Sequence, residues 1–142
     1  MIEIPTEMMR QITQHGETAY PEEAAGFLLG ADGEPRRVKT IFRLENAREE
    51  DARRNRYLIT PQDMLSAERE AVRLGKDVIG VFHSHPDHPD RPSSFDLEWA
   101  LPWFSYVITN IENGLATESR CWRLKDDRSS FIEEEIGGIA NR

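Results

Sequence analysis

The chain has 142 residues, and 18 Lys and Arg against 26 Asp and Glu give it a net charge of −8 at pH 7. This length predicts one domain with one core, and the acidic balance argues against a nucleic-acid partner, whose phosphates would need neutralising. Its one cysteine, Cys121, excludes an internal disulfide and a multi-thiolate metal site. We expect a cytoplasmic protein without membrane contact, because no apolar stretch approaches about 20 residues and no signal peptide is visible.

Apolar periodicity and turn residues predict a mixed series of helices and strands. Ile4, Met8 and Ile12 recur every four residues and form one apolar helix face, with His15 on the surface. Thr60 followed by Pro61 is typical of a helix start. In chain order the predicted elements are a helix at 5–20, strands at 24–30 and 38–44, a charged loop at 45–55, a strand at 57–59, a helix from 61 that stops at Gly75, a strand at 78–82, a short helix at 93–100, and strands at 104–111, 118–124 and 129–135.

These elements also predict how the chain packs. The long second helix is expected to turn Met64, Leu65, Ala71 and Val72 towards the core. The strand at 78–82 is the most hydrophobic in the chain, so we place it at the centre of a sheet. Because helices alternate with strands and hairpin-like turns, we predict an α/β or α+β fold with a mixed β-sheet sandwiched between helices.

The strongest chemical signal lies directly after the central strand, at His83 and His85. Alternate residues of a strand share a face, so the two imidazoles point the same way and Ser84 points the opposite way. Asp96 can return to this strand end from the first turn of the following helix. Two imidazoles and one carboxylate leave a fourth tetrahedral position open, which suits catalytic zinc better than a closed structural site.

Each of these residues also has an ordinary structural interpretation. A His-x-His pair is more often solvated or satisfied in a core than bound to a metal. Ser93 and Asp96 fit a capping box at a helix start, a role that is compatible with metal binding. Glu22 and Glu23 precede the buried strand, where an acid could serve as the base of a hydrolase, but a Pro-Glu-Glu segment is more typical of a solvated loop.

Together these residues resemble the motif of the JAMM (MPN-plus) metalloprotease family, which reads E-x-x-G, then H-[ST]-H-P, six residues, and S-x-x-D. The matching positions are Glu23, Gly26, His83, Ser84, His85, Pro86, Ser93 and Asp96. The resemblance to the compact bacterial members extends over nearly the whole chain. Ala25 stands where relatives often carry Cys, which is not a ligand position.

The resemblance implies a cytidine-deaminase-like MPN/JAB fold in a single domain over 1–136, with a flexible tail at 137–142. It implies one zinc ion per chain and a zinc metallopeptidase that acts on a ubiquitin-like or sulfur-carrier protein. The implied reaction is hydrolysis of the peptide or isopeptide bond after the C-terminal Gly-Gly of that protein, by Glu-assisted attack of zinc-bound water.

Residue by residue, the resemblance implies His83, His85 and Asp96 as the zinc ligands. It implies Glu23 as the general acid/base and Ser93 as the residue that stabilises the oxyanion.

Two alternatives stay open: a catalytically silent MPN scaffold that works through a binding partner, and a zinc amidase on a small substrate. The intact ligand set favours the peptidase. The sequence leaves open which carrier is the substrate and which group is released. It also leaves open the substrate-binding residues and the oligomeric state, including whether the chain forms a homodimer. Other side chains have weaker expectations: a solvated or groove-lining His88, a buried Cys121, and core or groove-wall positions for Trp99, Trp103 and Trp122.

Overall fold

The computed structural model describes residues 1–44 and 59–137. The predicted loop at 45–55 and most of the predicted strand at 57–59 lie outside the described residues, and Ile59 itself is not in a strand. The described elements are β1 (Ile2–Glu3), α1 (Thr6–Ala19), β2 (Ala25–Ala31), β3 (Arg36–Leu44), α2 (Pro61–Leu74), β4 (Asp77–Pro86), α3 (Ser94–Trp99), β5 (Ser105–Glu112), β6 (Leu115–Leu124), β7 (Phe131–Glu134) and β8 (Ile136–Gly137).

The eight described strands form one sheet in the order β7-β6-β5-β4-β2-β3-β1-β8. As predicted, β4 lies at the centre, antiparallel to β2 and parallel to β5. β1 is parallel to both β3 and β8, whereas the remaining neighbours are antiparallel. The predicted mixed sheet is therefore confirmed. Since β4 is a central strand, the histidines at its carboxyl end have neighbouring strands on both sides.

Helices cover both faces of the sheet, which confirms the predicted sandwich. On one face, Ile12 of α1 packs into a cluster with Phe82 and Val107. On the other face, Ala67 and Ala71 of α2 pack into a second cluster that includes Val81. Since β4 contributes to both clusters, alternate residues of this strand face opposite helices, and the side of β4 that faces α2 continues into His83 and His85.

The predicted start and stop of α2 are confirmed. The Thr60 hydroxyl accepts a hydrogen bond from the Asp63 amide at 3.1 Å, and the Asp63 carboxylate accepts one from the Thr60 amide at 3.0 Å. Gly75 ends the helix at φ 68°, a left-handed conformation that costs glycine little.

The predicted inner face of α2 is partly wrong. Leu65 is 43% exposed and Val72 is 78% exposed, whereas Ala67 and Ala71 are buried. Small side chains let the helix approach the sheet closely, so the buried face is centred on the two alanines. Leu65 and Val72 remain in solvent, whereas Met64 and Ala71 contact the core as predicted.

The predicted surface position of His15 is wrong. Its ring is partly buried and lies edge-on to Phe82, with ring centroids 6.0 Å apart. Burial lowers the pKa of His15, because the charged form would lose hydration there.

The sheet continues one residue past the predicted domain boundary. Gly137 pairs with Glu3 of β1, and its carbonyl accepts a hydrogen bond from the Ile4 amide at 3.1 Å. The rest of the predicted tail, 138–142, lies outside the described residues. Within the described part of the chain, every helix is too short or too polar to cross a membrane.

Candidate active site

The predicted ligand residues come together at the carboxyl end of β4. His83, His85 and Asp96 each offer one ligand atom, and these atoms lie within 4.8 Å of one another. His85 Nε2 is 3.2 Å from Asp96 Oδ2, and His83 Nε2 is 3.6 Å from Asp96 Oδ1. All three residues are at most 5% exposed. Two imidazole nitrogens and one carboxylate in a buried cluster are a typical ligand set for a divalent metal ion.

The capping box predicted at α3 is also present. Ser93 Oγ accepts a hydrogen bond from the Asp96 amide at 3.1 Å, and Asp96 Oδ2 accepts one from the Ser93 amide at 2.7 Å. The same carboxylate faces both imidazoles. The helix cap therefore fixes the direction in which Asp96 points, and the observed capping role is compatible with the predicted role of this residue as a metal ligand.

The charge states of the cluster fit metal binding. Burial lowers the pKa of His83 to about 4, so its imidazole is neutral at pH 7 and keeps a lone pair. Burial opposes ionisation of Asp96, but the two imidazoles and the Ser93 amide outweigh it and lower the pKa of this carboxyl. The carboxylate is therefore ionised at pH 7.

A hydrogen bond orients the imidazole of His85. Its Nδ1 lies 2.7 Å from the Pro89 carbonyl oxygen. A carbonyl can only accept, so Nδ1 carries the hydrogen and Nε2 is left to face Asp96 and the cluster. Burial disfavours charge on His85, yet Asp96, the Pro89 carbonyl and Glu23 together raise its pKa. A metal ion and a proton would compete for the lone pair of Nε2.

Glu23 is held beside the cluster by the chain around Ser84. The Ala24 amide donates to Ser84 Oγ at 2.8 Å, and the Ser84 amide donates to the Ala24 carbonyl at 3.0 Å. As predicted, Ser84 points away from the imidazoles, and there it clamps the start of β2 against β4. Glu23 is 4% exposed, and its charge contributes to the raised pKa of His85.

The glycine of the motif has a packing reason. A Cβ on Gly26 would lie 2.3 Å from the ring of Phe82 and 2.6 Å from the Phe42 carbonyl oxygen. Any larger residue would push β2 away from its neighbours. Glu23 would move with it, so Gly26 is required for the distance between Glu23 and the histidines.

A cavity of about 430 Å³ opens beside the cluster. It is lined by Glu23, His85, His88, Pro89, Arg91 and Ser93. Of the two acids considered from the sequence, Glu23 lines this cavity and Glu22 does not. His88 also lines this cavity, which agrees with the groove-lining position, one of the two that the sequence predicted for it.

Hydrogen bonds that the sequence did not predict hold the proline-rich loop (87–92) in place. The Asn110 side-chain amide donates to the His88 carbonyl, and Trp122 Nε1 donates to the Asp90 carbonyl at 3.0 Å. Tyr20 donates to Asp87 at 2.7 Å. The available signal was an asparagine, Asn110, near the end of a strand that is largely buried.

The expectations for the other side chains have mixed outcomes. Cys121 is fully buried as predicted, and burial raises its pKa. Trp103 is 60% exposed, so it is not a core residue. It lines a second groove beside α2, which agrees with the alternative prediction of a groove-wall position. Trp122 is partly buried and contacts the proline-rich loop. The prediction for Trp99 concerns a side chain that is not among those described.

This fold and this site define a metal hydrolase of the JAB/MPN class. Residues 5–125 match the family described as prokaryotic homologs of the JAB domain. The chain belongs to this family, and it is a hydrolase of the JAMM metallopeptidase type.

Three known proteins are similar to the chain. A desampylase from Pyrococcus furiosus is 33% identical over 105 residues, 73% of this chain and 68% of the relative. A probable TtuB-protein conjugate cleaving protease from Thermus thermophilus is 24% identical over 120 residues, 82% of this chain and 77% of the relative. The solution structure of protein DSY2949 from Desulfitobacterium hafniense superposes with a TM-score of 0.85 at 30% identity, covering 100% of this chain and 94% of that one.

Proposed function

We propose that this chain is a zinc-dependent peptidase that hydrolyses the peptide or isopeptide bond after the C-terminal Gly-Gly of a ubiquitin-like or sulfur-carrier protein. The observation that carries the proposal is the meeting of His83, His85 and Asp96 within 4.8 Å, beside a cavity that Glu23 and Ser93 line. A scaffold that works only by binding a partner has no need for this buried, charged arrangement.

In this proposal His83, His85 and Asp96 hold the zinc ion. Zinc in such a site lowers the pKa of water and polarises a carbonyl group. The buried donors, the neutral His83 and the oriented His85 support this assignment. The carboxylate of Asp96 offsets part of the ion's charge inside a pocket that is largely closed to solvent.

Glu23 and Ser93 supply the remaining chemistry. A Glu23 carboxylate oxygen takes the proton of the attacking water and delivers it to the nitrogen of the leaving amine. The Ser93 hydroxyl donates to the carbonyl oxygen of the scissile bond as negative charge develops on it. Both residues line the same cavity, which supports a shared substrate.

The substrate class rests on the relatives and on the shape of the site. One relative is named a desampylase and another a TtuB-protein conjugate cleaving protease, so both names describe the removal of a protein modifier. Glu23 and His85 are buried where they line the cavity. A tail without bulky Cβ substituents can approach them most closely, and glycines meet that requirement.

The proposal is tested with the variant Glu23→Gln, with Glu22→Gln as the matched control from the adjacent position. We expect Glu23→Gln to keep its zinc and to lose at least about a hundredfold in cleavage rate, because general base catalysis contributes that much. Glu22→Gln should cleave like the parent enzyme, and His85→Ala should lose the metal.

Zinc content is measured by elemental analysis, and cleavage is followed by the mass of a ubiquitin-fold carrier extended after Gly-Gly. If the zinc-loaded parent leaves both extended carriers and lysine conjugates intact, the enzyme proposal is wrong and the scaffold alternative stands. If Glu23→Gln cleaves at the parent rate, the assignment of the base is wrong.

A further inference from the structure

Among the residues that the structure describes, Arg91 is the only arginine or lysine that lines the cavity beside the metal cluster. It lies in the proline-rich loop, two residues before Ser93, and its side chain is exposed. Its guanidinium makes neither a hydrogen bond nor an ion pair with any residue in the described ranges 1–44 and 59–137. In a chain of net charge −8, a cation at the cavity with no acidic partner there needs an explanation.

The acids near Arg91 are bound by other groups. Asp90 lies 3.6 Å from the guanidinium of Arg120. Asp87 accepts hydrogen bonds from the Tyr20 hydroxyl at 2.7 Å and the Asn113 amide at 2.9 Å. Asp96 is satisfied by the imidazoles and the Ser93 amide. Arg91 is therefore not needed to neutralise the loop that carries it.

The backbone on both sides of Arg91 is fixed. The Asp90 carbonyl is held by Trp122 Nε1 at 3.0 Å, and Ser93 is locked into the cap of α3. Pro92, between Arg91 and Ser93, restricts the chain further. Because the loop is already ordered, a ligand that binds the guanidinium orders only the side chain itself.

We propose that Arg91 binds the free α-carboxylate of the residue that follows the scissile bond. This proposal rests on the proposed function and narrows its substrate class. A guanidinium presents two parallel N–H donors that match a carboxylate, and Glu23, the one acid among the described lining residues, would repel an anion placed beside it. The preferred substrate is then a carrier that ends in one amino acid after Gly-Gly, which is released with its own carboxylate.

The test compares two probes that differ in one group: a ubiquitin-fold carrier extended after Gly-Gly by one alanine, ending in a free carboxylate or in an amide. Binding is measured by calorimetry on zinc-loaded Glu23→Gln, in which we expect cleavage to be at least about a hundredfold slower. We expect the acid to bind about tenfold more tightly than the amide, as charge-assisted hydrogen bonds allow. Adding Arg91→Gln should reduce this ratio to about one, and Arg91→Lys should restore part of it.

Arg69→Gln is the matched control, since Arg69 is an exposed arginine of α2 that does not line the cavity. It should leave the acid-to-amide ratio unchanged. Equal binding of both probes, undetectable binding of the acid, or an equal loss for both probes in Arg91→Gln would overturn the proposal. These results are separate from a failure of the proposed function, because the parent enzyme could still cleave a lysine conjugate while the ratio stays at one.

Discussion

The hydroxyl of Ser93 can serve the helix and the substrate at the same time. A serine hydroxyl has one donor hydrogen and two acceptor lone pairs. The cap of α3 uses an acceptor, because the Asp96 amide donates to Ser93 Oγ. The donor hydrogen is left for the cavity that Ser93 lines. A substitution can therefore remove the catalytic donor without destroying the helix start.

We expect Ser93→Gly to lower kcat by about a hundredfold, the loss that follows removal of one oxyanion donor. Glycine replaces serine as a cap at a cost of a few tenths of a kcal/mol, so the metal site and α3 should persist. Steady-state kinetics and zinc content check this. Ser93→Thr, which keeps both the cap and the donor, is the control. A change confined to KM would assign Ser93 to substrate binding instead.

The proline-rich loop takes its shape from strands far away in sequence. Asn110 of β5 and Trp122 of β6 hold the carbonyls of His88 and Asp90. Between these two points lies Pro89, whose carbonyl orients His85. Contacts of this kind around a metal ligand typically contribute a factor of 10 to 100 in metal affinity or activity.

We predict that Trp122→Phe weakens zinc binding severalfold and lowers kcat/KM by about tenfold, because the loop loses one support of the Pro89 carbonyl. Phenylalanine keeps an aromatic ring but cannot donate to Asp90. The matched control is Trp103→Phe, which changes an exposed tryptophan outside the cavity. Zinc affinity is measured by competition with a chelator. Equal effects of the two substitutions would show that Trp122 does not position the loop.

At the scale of the whole molecule, the sequence predicted what is encoded locally. Periodicity and capping residues predicted the described elements except the two-residue strands β1 and β8, and strand alternation predicted that His83 and His85 share a face. The buried face of α2 was predicted only in part: Met64 and Ala71 lie on it, but Leu65 and Val72 do not, although they are more hydrophobic than the alanines that contact the sheet. The supports of the loop were missed because hydrogen bonds between Trp122 and Asp90 depend on strand order, which no local pattern encodes.

A second long-range network holds the sheet at its other end. Arg36 of β3 is 5% exposed. Its guanidinium donates to the Ile79 carbonyl at 3.0 Å, the Trp103 carbonyl at 2.6 Å and Ser105 Oγ at 2.9 Å. These bonds join β3 to β4, β5 and the segment that follows α3. Their acceptors would be left unsatisfied in the interior without the guanidinium.

We therefore predict that Arg36→Leu destabilises the protein by about 2–4 kcal/mol, because buried acceptors lose their donors. Arg37 is the adjacent control: it is an exposed arginine that pairs with Glu3 at 3.1 Å, so Arg37→Leu should cost less than about 1 kcal/mol. Urea unfolding measures both. The folded Arg36→Leu enzyme should keep its zinc affinity, since Ile79 lies four residues before His83 along β4 and the network does not touch the ligands. Equal stability of the two variants would show that solvent replaces the buried guanidinium at little cost.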